Sequence, residues 1–192
     1  PFKMQNLKVI QDLKKICKTS SYKEDKELIK KHSADWRGRF YKNALGVAFP
    51  TSTKEVSKII KYSNKKNIKL IPQGGNTGLV GGTSPTQNKK EIIINFEKMN
   101  KIIEIDRENR CIEVEAGTII DNIISAIDKE NYLFPLKMSS TGSSQVGGAI
   151  ATNAGGINVV KHGSIRQNIL ALEVVLANGE SLKLGSKVIK DN

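Results

Sequence analysis

The chain has 192 residues, of which 38% are hydrophobic and 26% are charged, as is typical of a globular protein with one or two hydrophobic cores. No apolar run approaches the ~20 residues that a transmembrane helix needs, and Pro1–Gln5 has neither an initiator Met nor an apolar signal region, so we expect no membrane span and no export signal. The net charge of +12 comes mostly from scattered Lys without interleaved aromatic residues, which favours a solvated surface over a nucleic-acid interface.

The first part of the chain is predicted to be helical. Over residues 7–31, apolar residues recur at helical spacing among Lys and Glu with one polar break, which predicts one or two amphipathic surface helices. Trp36 follows in an irregular stretch, and its large apolar area predicts that it is anchored in the core.

A strand–helix–strand pattern comes next. Val47–Phe49 is an apolar segment that ends at a Pro turn, and Ser52 with Glu55 fits the capping box of a helix. The apolar run 68–71 then predicts a buried strand. The chain leaves this strand at its carboxyl end, which is where α/β folds commonly bind ligands.

A glycine-rich loop over residues 72–82 follows that strand directly. Its glycines can adopt positive φ and let a ligand approach the backbone: Gly74, Gly75, Gly78, Gly81 and Gly82. Consecutive N–H groups in such a turn, with Asn76 and Thr77 beside them, form a concavity that favours an anion. The loop has neither a Walker A motif nor a GxGxxG fingerprint, which disfavours nucleoside triphosphate hydrolysis and Rossmann-type nicotinamide binding. For this segment on its own, an ordinary flexible loop is the alternative.

The remaining elements predict a mixed α+β sheet domain. Ala116–Thr118 is expected to end a sheet and to cap a helix that follows it, and residues 169–184 predict a β-hairpin around the turn signal Asn178-Gly179. Three further segments have the patterns of strands, namely residues 91–95, 102–105 and 110–115.

A second segment rich in small residues spans positions 139–156. Gly147-Gly148 before Ala-Ile-Ala predicts a short, closely packed helix whose first N–H groups point at a ligand. Ser and Thr hydroxyls over 139–144 can donate to a polar cofactor edge or accept from it. Together with the first loop, this segment suits an extended ligand with several phosphates or a polar ring, and tight internal packing is the alternative.

Cys and His residues are few. Cys17 and Cys111 lie far apart without a CxxC motif, which indicates free thiols in a reducing compartment. His32 and His162 have no metal-ligand spacing, so we expect no zinc or iron site built from them.

Several of these segments together resemble the flavin-binding domain of the vanillyl-alcohol oxidase and p-cresol methylhydroxylase class. Within that class, the chain is most similar to the D-2-hydroxyglutarate, D-lactate and glycolate dehydrogenases. The motifs that carry the resemblance are Asp35-Trp36, Pro50 through Val56, Pro72 through Gly78 with Gly81-Gly82, Phe134-Pro135-Leu136, Gly147 through Gly156, His162-Gly163-Ser164, and Leu172 through Leu176 with Asn178-Gly179.

The resemblance implies an α+β fold, the p-cresol methylhydroxylase-type FAD-binding domain, in which two α/β subdomains have the flavin between them. It implies an N-terminal helical segment over 1–41 and an FAD-binding domain over 42–192, with subdomains near 42–115 and 116–192. The second subdomain is expected to be incomplete at its C-terminal end. Lys190–Asn192 resembles the opening of a family motif, after which the rest of the flavin domain and a substrate-capping domain should follow.

The resemblance also implies noncovalent FAD, because Asn76 and Thr77 stand where some relatives tether the flavin through a histidine. It places Gly74–Gly78 around the pyrophosphate, Gly142–Gly148 along the ribityl chain and flavin, and the backbone of Val174 at the adenine. The implied cofactor-binding residues are Gly74, Gly75, Asn76, Thr77, Gly78, Leu79, Gly82, Pro135, Ser139, Gly142, Ser143, Gly147, Gly148, Asn153, Gly163 and Val174.

Two positions depart from the family pattern. Lys137 stands where an acidic residue is usual, and it either changes the charge near the flavin or points to solvent. His162 stands where a tyrosine is usual, and we expect it to pack rather than to act as a catalytic base.

The activity that the resemblance implies is oxidation of a D-2-hydroxy acid, such as D-2-hydroxyglutarate, D-lactate or glycolate, to the 2-oxo acid by hydride transfer to flavin. The catalytic base, the carboxylate-binding arginine and a divalent metal site are expected beyond Asn192, so no catalytic or metal-binding residue is assigned within this chain. The implied partners are the hydroxy acid and an electron acceptor, which is a quinone, a cytochrome or an electron-transfer flavoprotein. A homo-oligomer is compatible with this, and the implied location is cytoplasmic, with optional attachment at the inner membrane face.

Two other functions stay open. The charge of +12 motivates a basic nucleic-acid-binding module without enzymatic activity, although no nucleic acid is expected on the first hypothesis. Another flavoenzyme of the same fold class, such as the reductase of peptidoglycan precursor synthesis, is disfavoured by the long match over Ala151–Gly156.

Overall fold

The computed structural model describes residues 2–17, 22–86 and 90–188, so the motif expected at Lys190–Asn192 lies outside the described residues. Contacts divide the chain into two compact units. The first unit comprises Pro1–Lys98 with Val175–Ser181, and the second comprises Met99–Val174 with Leu182–Asn192. The N-terminal helices thus belong to the first unit, and the subdomain boundary expected near residue 115 stays a proposal.

A four-stranded sheet organises the first unit. The elements of this unit are α1 (Phe2–Ile16), β1 (Tyr22–Lys23), α2 (Lys26–Ser33), β2 (Val47–Ala48), α3 (Thr53–Lys65), β3 (Lys69–Gln73) and β4 (Glu91–Asn95). The strand order is β1-β2-β4-β3, with β2 and β3 both parallel to β4 and with β1 antiparallel to β2. The expected strand–helix–strand pattern is present as β2-α3-β3, but β4 lies between its two strands and pairs with both of them.

The core of the first unit fixes the end of β3, from which the glycine-rich loop leaves. All residues of β4 are buried, as expected for a strand with parallel neighbours on both sides. Burying one large aliphatic or aromatic side chain contributes about 1.5–3 kcal/mol, so a shared cluster holds these strands firmly. That cluster consists of Ala44, Val47, Phe49, Ile71 and Ile93, with Leu28 and Ile29 of α2 packed against it.

Trp36 is not a core residue, because 70% of its surface is exposed. The neighbouring Asp35 is only 4% exposed and anchors this segment instead. Its carboxylate accepts hydrogen bonds from the Phe40 N–H at 2.8 Å and from the Arg37 N–H at 3.3 Å. These bonds close a tight turn that leaves Trp36 at the surface, so the prediction from apolar area alone was wrong.

The elements after Lys98 are shorter and less regular. They are β5 (Ile102–Asp106), β6 (Cys111–Val114), α4 (Ile120–Asp128), α5 (Val146–Ala151), α6 (Val159–His162), a 3-10 helix (Ile165–Asn168), β7 (Ala171–Val175) and β8 (Ser181–Gly185). Strands β5 and β6 form an antiparallel pair, and β7 and β8 form the sheet of the expected hairpin. The core of the second unit consists of Ile120, Ile123, Leu136, Val146, Ala149 and Ile165.

Helix α4 begins without a side-chain cap, since the residue before it is Ile119. Thr118, which the sequence led us to expect as part of the cap, donates its hydroxyl to Lys101 O at 3.2 Å. The Ile120 N–H donates to Ser144 O at 3.0 Å. The second small-residue segment therefore supplies a hydrogen-bond acceptor for a backbone N–H in the first turn of α4. Within the described ranges, no helix has the length and apolar character that crossing a bilayer requires.

Candidate functional site

The glycines of the loop after β3 are present for different reasons. Gly81 has a φ of +71°, and a Cβ built there would lie 2.6 Å from the Phe40 ring, so the local fold itself requires glycine. Gly78 and Gly82 lie outside the left-handed region, and no described atom comes within 4 Å of a Cβ built at either position. Their missing side chains leave open space on the loop, which is what the close approach of a ligand needs.

Buried side-chain amides hold both ends of this loop. Gln73 is only 1% exposed, and its Nε2 donates to His32 O at 2.7 Å and to Thr83 O at 3.2 Å. Its Oε1 lies 2.7 Å from His32 Nδ1 and accepts from Asn95 Nδ2 at 3.2 Å. Asn95 pairs with Gln73 in the register of β3 and β4, and its Nδ2 also donates to Gly74 O at 3.1 Å.

Asn76 fixes the middle of the loop. Its φ is +54°, a left-handed conformation that asparagine tolerates better than most residues. Its Nδ2 donates to Ala34 O at 2.7 Å, and its Oδ1 accepts from the Thr83 hydroxyl at 2.6 Å. Because Ala34 directly follows α2, these bonds tie the loop to the end of that helix, and both polar atoms of the Asn76 side chain are engaged within the protein.

The second small-residue segment is held against the start of α4. Ser140 O accepts from the N–H groups of Ser143 at 3.0 Å and Ser144 at 2.8 Å, which closes a tight turn. The Asp121 N–H donates to Thr141 O at 3.2 Å. The hydroxyl-rich stretch expected to face a cofactor therefore has a defined backbone course.

The start of α5 differs from the expectation that its N–H groups point at a ligand. The Val146 N–H donates to Thr118 O at 2.9 Å, and the Gly147 N–H donates to Ala116 O at 2.8 Å. A Cβ at Gly147 would also lie 2.9 Å from that of Ala116, so internal packing explains this glycine. At Gly148, in contrast, a built Cβ has no described neighbour within 4 Å, and the backbone is not left-handed.

Gln145, directly before α5, has an unsatisfied polar atom. The residue is 7% exposed, and its Oε1 has no hydrogen-bond partner among the described residues. Leaving a buried acceptor unpaired costs about 1–3 kcal/mol, so we expect a ligand or a water to donate to it. An unpaired acceptor at Gln145 and open space at Gly148 fit a polar ligand with N–H or O–H donors.

Further along the segment, small residues serve internal packing. A Cβ at Gly156 would overlap Lys137 O, while the Lys137 side chain itself is exposed. Arg166 donates from Nε to Ile150 O at 2.9 Å, and its N–H donates to Asn153 Oδ1 at 3.4 Å. Here the packing alternative raised by the sequence accounts for what the structure shows.

The structure places the expected cofactor-binding residues in two groups. The first unit holds Gly74, Gly75, Asn76, Thr77, Gly78, Leu79 and Gly82 in the loop after β3. The second unit holds Pro135, Ser139, Gly142, Ser143, Gly147, Gly148, Asn153, Gly163 and Val174. Sequence analysis missed the supporting roles of His32, Gln73 and Asn95. Gln73 and Asn95 could have been found, because each is a polar residue at the end of an otherwise apolar strand.

The two cysteines have ordinary, unactivated thiols. Cys17 and Cys111 are free thiols, and burial raises the pKa of Cys17 to about 12 and also raises the pKa of Cys111, so both stay protonated. No group of three or more His, Cys, Asp or Glu side chains in the described part of the chain could hold a metal ion.

The family described as "FAD binding domain" matches residues 44–185. The mitochondrial D-2-hydroxyglutarate dehydrogenase of Arabidopsis thaliana is 35% identical over 191 residues, which cover 100% of this chain and 34% of the relative. The D-2-hydroxyglutarate dehydrogenase of Xanthomonas citri pv. viticola is 32% identical over 84% of this chain and 34% of its own length. A D-2-hydroxyglutarate–pyruvate transhydrogenase of Saccharomyces cerevisiae is 38% identical over 82% of this chain and 32% of its own length. The chain thus spans about a third of the length of the curated relatives it matches.

Solved structures resemble the chain in fold. Alkyldihydroxyacetonephosphate synthase superposes with a TM-score of 0.83 at 23% identity, covering 91% of this chain and 34% of that protein. Wild-type Phl p 4.0202, a glucose dehydrogenase, superposes with a TM-score of 0.78 at 17% identity, covering 90% of this chain and 36% of its own. The α+β fold class expected from the resemblance is confirmed, and nothing in these comparisons supports the nucleic-acid alternative.

Proposed function

Because the chain belongs to the FAD-binding domain family, we propose that it holds FAD noncovalently as part of an enzyme that oxidises a D-2-hydroxy acid. The observation that carries the proposal is the open space at Gly78, Gly82 and Gly148, where no contact with a described residue requires a glycine. When bound, FAD supplies the redox chemistry by accepting a hydride from the substrate carbon. The chain contributes binding and orientation.

The loop after β3 is proposed to hold the pyrophosphate through its backbone N–H groups. Both polar atoms of the Asn76 side chain are used within the protein, so its backbone rather than its side chain is available to an anion. The smallness of Gly78 and Gly82 lets phosphate oxygens come close. Asn76 and Thr77 stand in this loop and no histidine does, which supports noncovalent attachment.

The second segment is proposed to run along the ribityl chain and the flavin. Gln145 Oε1 has no hydrogen-bond donor among the described residues. The flavin ring N–H and the ribityl hydroxyl groups are donors that could fill this place. The open position at Gly148 and the hydroxyl of Ser143 lie in the same segment, and the backbone of Val174 is proposed to meet the adenine.

The substrate class rests on what the relatives are named for, which is D-2-hydroxyglutarate oxidation or transhydrogenation. Since the chain spans about a third of their length, we place the substrate-binding residues, the catalytic base and a divalent metal in the remaining part. The proposed electron acceptor is a quinone, a cytochrome or an electron-transfer flavoprotein, and a homo-oligomer is compatible with this. Some relatives carry mitochondrial names and others do not. For this protein we propose a cytoplasmic location with optional attachment at the inner membrane face, because its two cysteines are free thiols, as in a reducing compartment.

A graded steric series tests the cofactor site. In the intact protein, Gly78→Ala should weaken FAD binding and Gly78→Val should abolish flavin retention, because each added carbon occupies space proposed for the phosphates. The thermal unfolding midpoint of the apo-protein should hardly change, since a Cβ at this position meets no described atom within 4 Å. Flavin absorbance after purification and FAD titration of the apo-protein measure the effect. Normal flavin content in Gly78→Val would remove the loop from the site.

Anaerobic reduction of the bound flavin tests the reaction. The wild-type protein should lose its oxidised-flavin absorbance on addition of D-2-hydroxyglutarate, D-lactate or glycolate, and the L-enantiomers of the first two serve as matched controls. A protein that binds FAD but is reduced by none of these acids contradicts the substrate class. A protein that binds no FAD contradicts the cofactor proposal itself.

A further inference from the structure

We infer that His32, Gln73 and Asn95 are positioning residues that hold the loop after β3 in its ligand-binding conformation before FAD arrives, a role that rests on the proposed function of this loop. None of the three belongs to the expected cofactor-binding set. All are buried, with exposed fractions of 9%, 1% and 2%. They lie at the ends of α2, β3 and β4, which meet where the loop begins.

The side-chain amide of Gln73 uses its full hydrogen-bonding capacity. Its Nε2 faces two carbonyl oxygens, those of His32 and Thr83, and can only donate to them. Its Oε1 faces Asn95 Nδ2 and His32 Nδ1. A flipped amide would set oxygen against both carbonyls and nitrogen against the Asn95 amide, so one orientation is selected. Residues before and after the loop are thereby held by a single group.

This orientation assigns the proton on His32. Because Gln73 Oε1 can only accept, the Nδ1 atom at 2.7 Å must carry a hydrogen. The imidazole packs edge-on against Phe49, with ring centroids 5.4 Å apart and an interplanar angle of 74°. Histidine here is a fixed donor whose ring plane is set by the core of the first unit.

Asn95 carries the constraint into the loop backbone. Its Nδ2 donates to Gly74 O at 3.1 Å, and its Oδ1 accepts from the Glu97 N–H at 2.9 Å. No cis peptide occurs in the described residues, and in a trans peptide the carbonyl and the following N–H point in opposite directions. With Gly74 O directed at Asn95, the Gly75 N–H points away from the strand end. The network therefore sets the direction of an amide in the loop that the family resemblance assigns to the pyrophosphate.

A pair of substitutions at His32 isolates the donor. His32→Asn keeps a donor, because its Nδ2 lies the same number of bonds from Cα as the histidine Nδ1. His32→Leu removes the donor and leaves Gln73 Oε1 with one partner in a buried place. Removing one partner of a buried hydrogen bond corresponds to roughly a 5- to 100-fold effect, and we expect FAD affinity to fall by that factor in His32→Leu and by much less in His32→Asn. Phe49→Leu serves as a packing control that leaves the amide network intact.

Two measurements on the intact protein test the inference. FAD titration of each apo-protein gives the dissociation constant, and amide hydrogen exchange of the apo-protein reports the order of residues 74–82 without any cofactor. We expect faster exchange in this loop for His32→Leu, near-wild-type exchange for His32→Asn, and no loop-specific change for Phe49→Leu. Asn95→Asp, which replaces the donating nitrogen by oxygen, is a second variant in case His32→Leu does not fold.

The outcomes separate this inference from the proposed function. If the wild-type protein binds no FAD, the proposed function is wrong. The hydrogen-exchange data would then still show whether His32 orders the loop. If the wild type binds FAD and His32→Leu matches it in affinity and exchange, the positioning role is wrong. Equal losses in His32→Asn and His32→Leu would likewise overturn it, because the hydrogen-bond donor would then be irrelevant.

Discussion

Gly147 and Gly148 show that adjacent identical residues can be required for different reasons. A side chain at Gly147 would press against Ala116, whereas a side chain at Gly148 would enter space that the described residues leave empty. Glycine inside a helix costs roughly 0.5–1 kcal/mol relative to alanine, so an open helical glycine needs an explanation outside the fold. We propose that a bound ligand supplies that explanation for Gly148.

Alanine at these two positions should give opposite results. Gly147→Ala should lower the unfolding midpoint of the intact protein, because overpacking typically costs about 1–3 kcal/mol. Gly148→Ala should leave the midpoint unchanged or raise it slightly, yet it should weaken FAD binding. Thermal unfolding of the apo-proteins together with FAD titration measures both effects. A Gly148→Ala protein with wild-type affinity for FAD would show that this position does not face the cofactor.

Asp35 shows how one carboxylate directs the chain. Hydrogen bonds from backbone N–H groups, that of Phe40 first, hold the pKa of Asp35 below its usual value. A carboxyl whose pKa is lower in the folded protein stabilises the fold above its unfolded pKa of about 4, and this contribution is lost as the pH falls through the folded pKa.

Acid unfolding of the intact protein should reveal this contribution. We expect the free energy of unfolding to fall as the pH drops below about 4, and to fall less in Asp35→Asn, because asparagine keeps the shape of aspartate but cannot ionise. Urea unfolding at several pH values measures the difference, and comparing the two proteins cancels the effects of other carboxylates. If the free energy of unfolding depends on pH in the same way in both proteins, Asp35 does not cause the loss of stability in acid.

At the scale of elements, the turn between β7 and β8 has a supporting role in the first unit. Gly179 has a φ of +83°, and a Cβ there would lie 2.5 Å from Lys61 Cγ. The Ser57 hydroxyl donates to Gly179 O, and Asn64 Nδ2 donates to Ala177 O at 2.5 Å. The turn signal that the sequence predicts is therefore also a docking contact for α3.

Gly38 provides a matched control for this turn. It also has a left-handed φ, of +66°, but a Cβ there would have no described neighbour within 4 Å. Gly38→Ala should cost about 1–2 kcal/mol from backbone strain alone. Gly179→Ala should cost this amount and a further ~1–3 kcal/mol, because its methyl group meets α3. Denaturant unfolding of both variants measures the difference, and equal losses would mean that the turn does not dock on α3.

Most elements followed from local pattern. The strand over 91–95, the helix after Ser52 and the hairpin around Asn178-Gly179 all appear where periodicity and turn chemistry predict them. The start of α4 was predicted wrongly, because Thr118 bonds to Lys101 and the Ile120 N–H finds its acceptor in a distant segment. Caps are short-range signals, and a long-range carbonyl can replace them.

At the scale of the whole molecule, spatial order departs from chain order. β4 follows the glycine-rich loop in sequence but lies between β2 and β3 in the sheet. Its fully apolar centre, Ile92–Ile94, is the signature of a strand buried on both faces, so a central place was readable from the sequence. The sequence did not show which two strands pair with β4, because an apolar pattern indicates burial but does not specify the pairing partners.

The amino-acid sequence by itself determined most of the helices and strands and the two glycine-rich segments, because these depend on local backbone freedom and on periodicity along the chain. It also indicated the family, through the resemblance of its motifs. Only the tertiary structure decided which glycines face open space. It also decided that Trp36 is exposed and that the N–H groups of Val146 and Gly147 donate hydrogen bonds within the protein. It also brought His32 against Gln73, two residues separated by 41 positions. Hydrogen-bond partners and empty volume arise from contacts between distant segments, which no local pattern encodes.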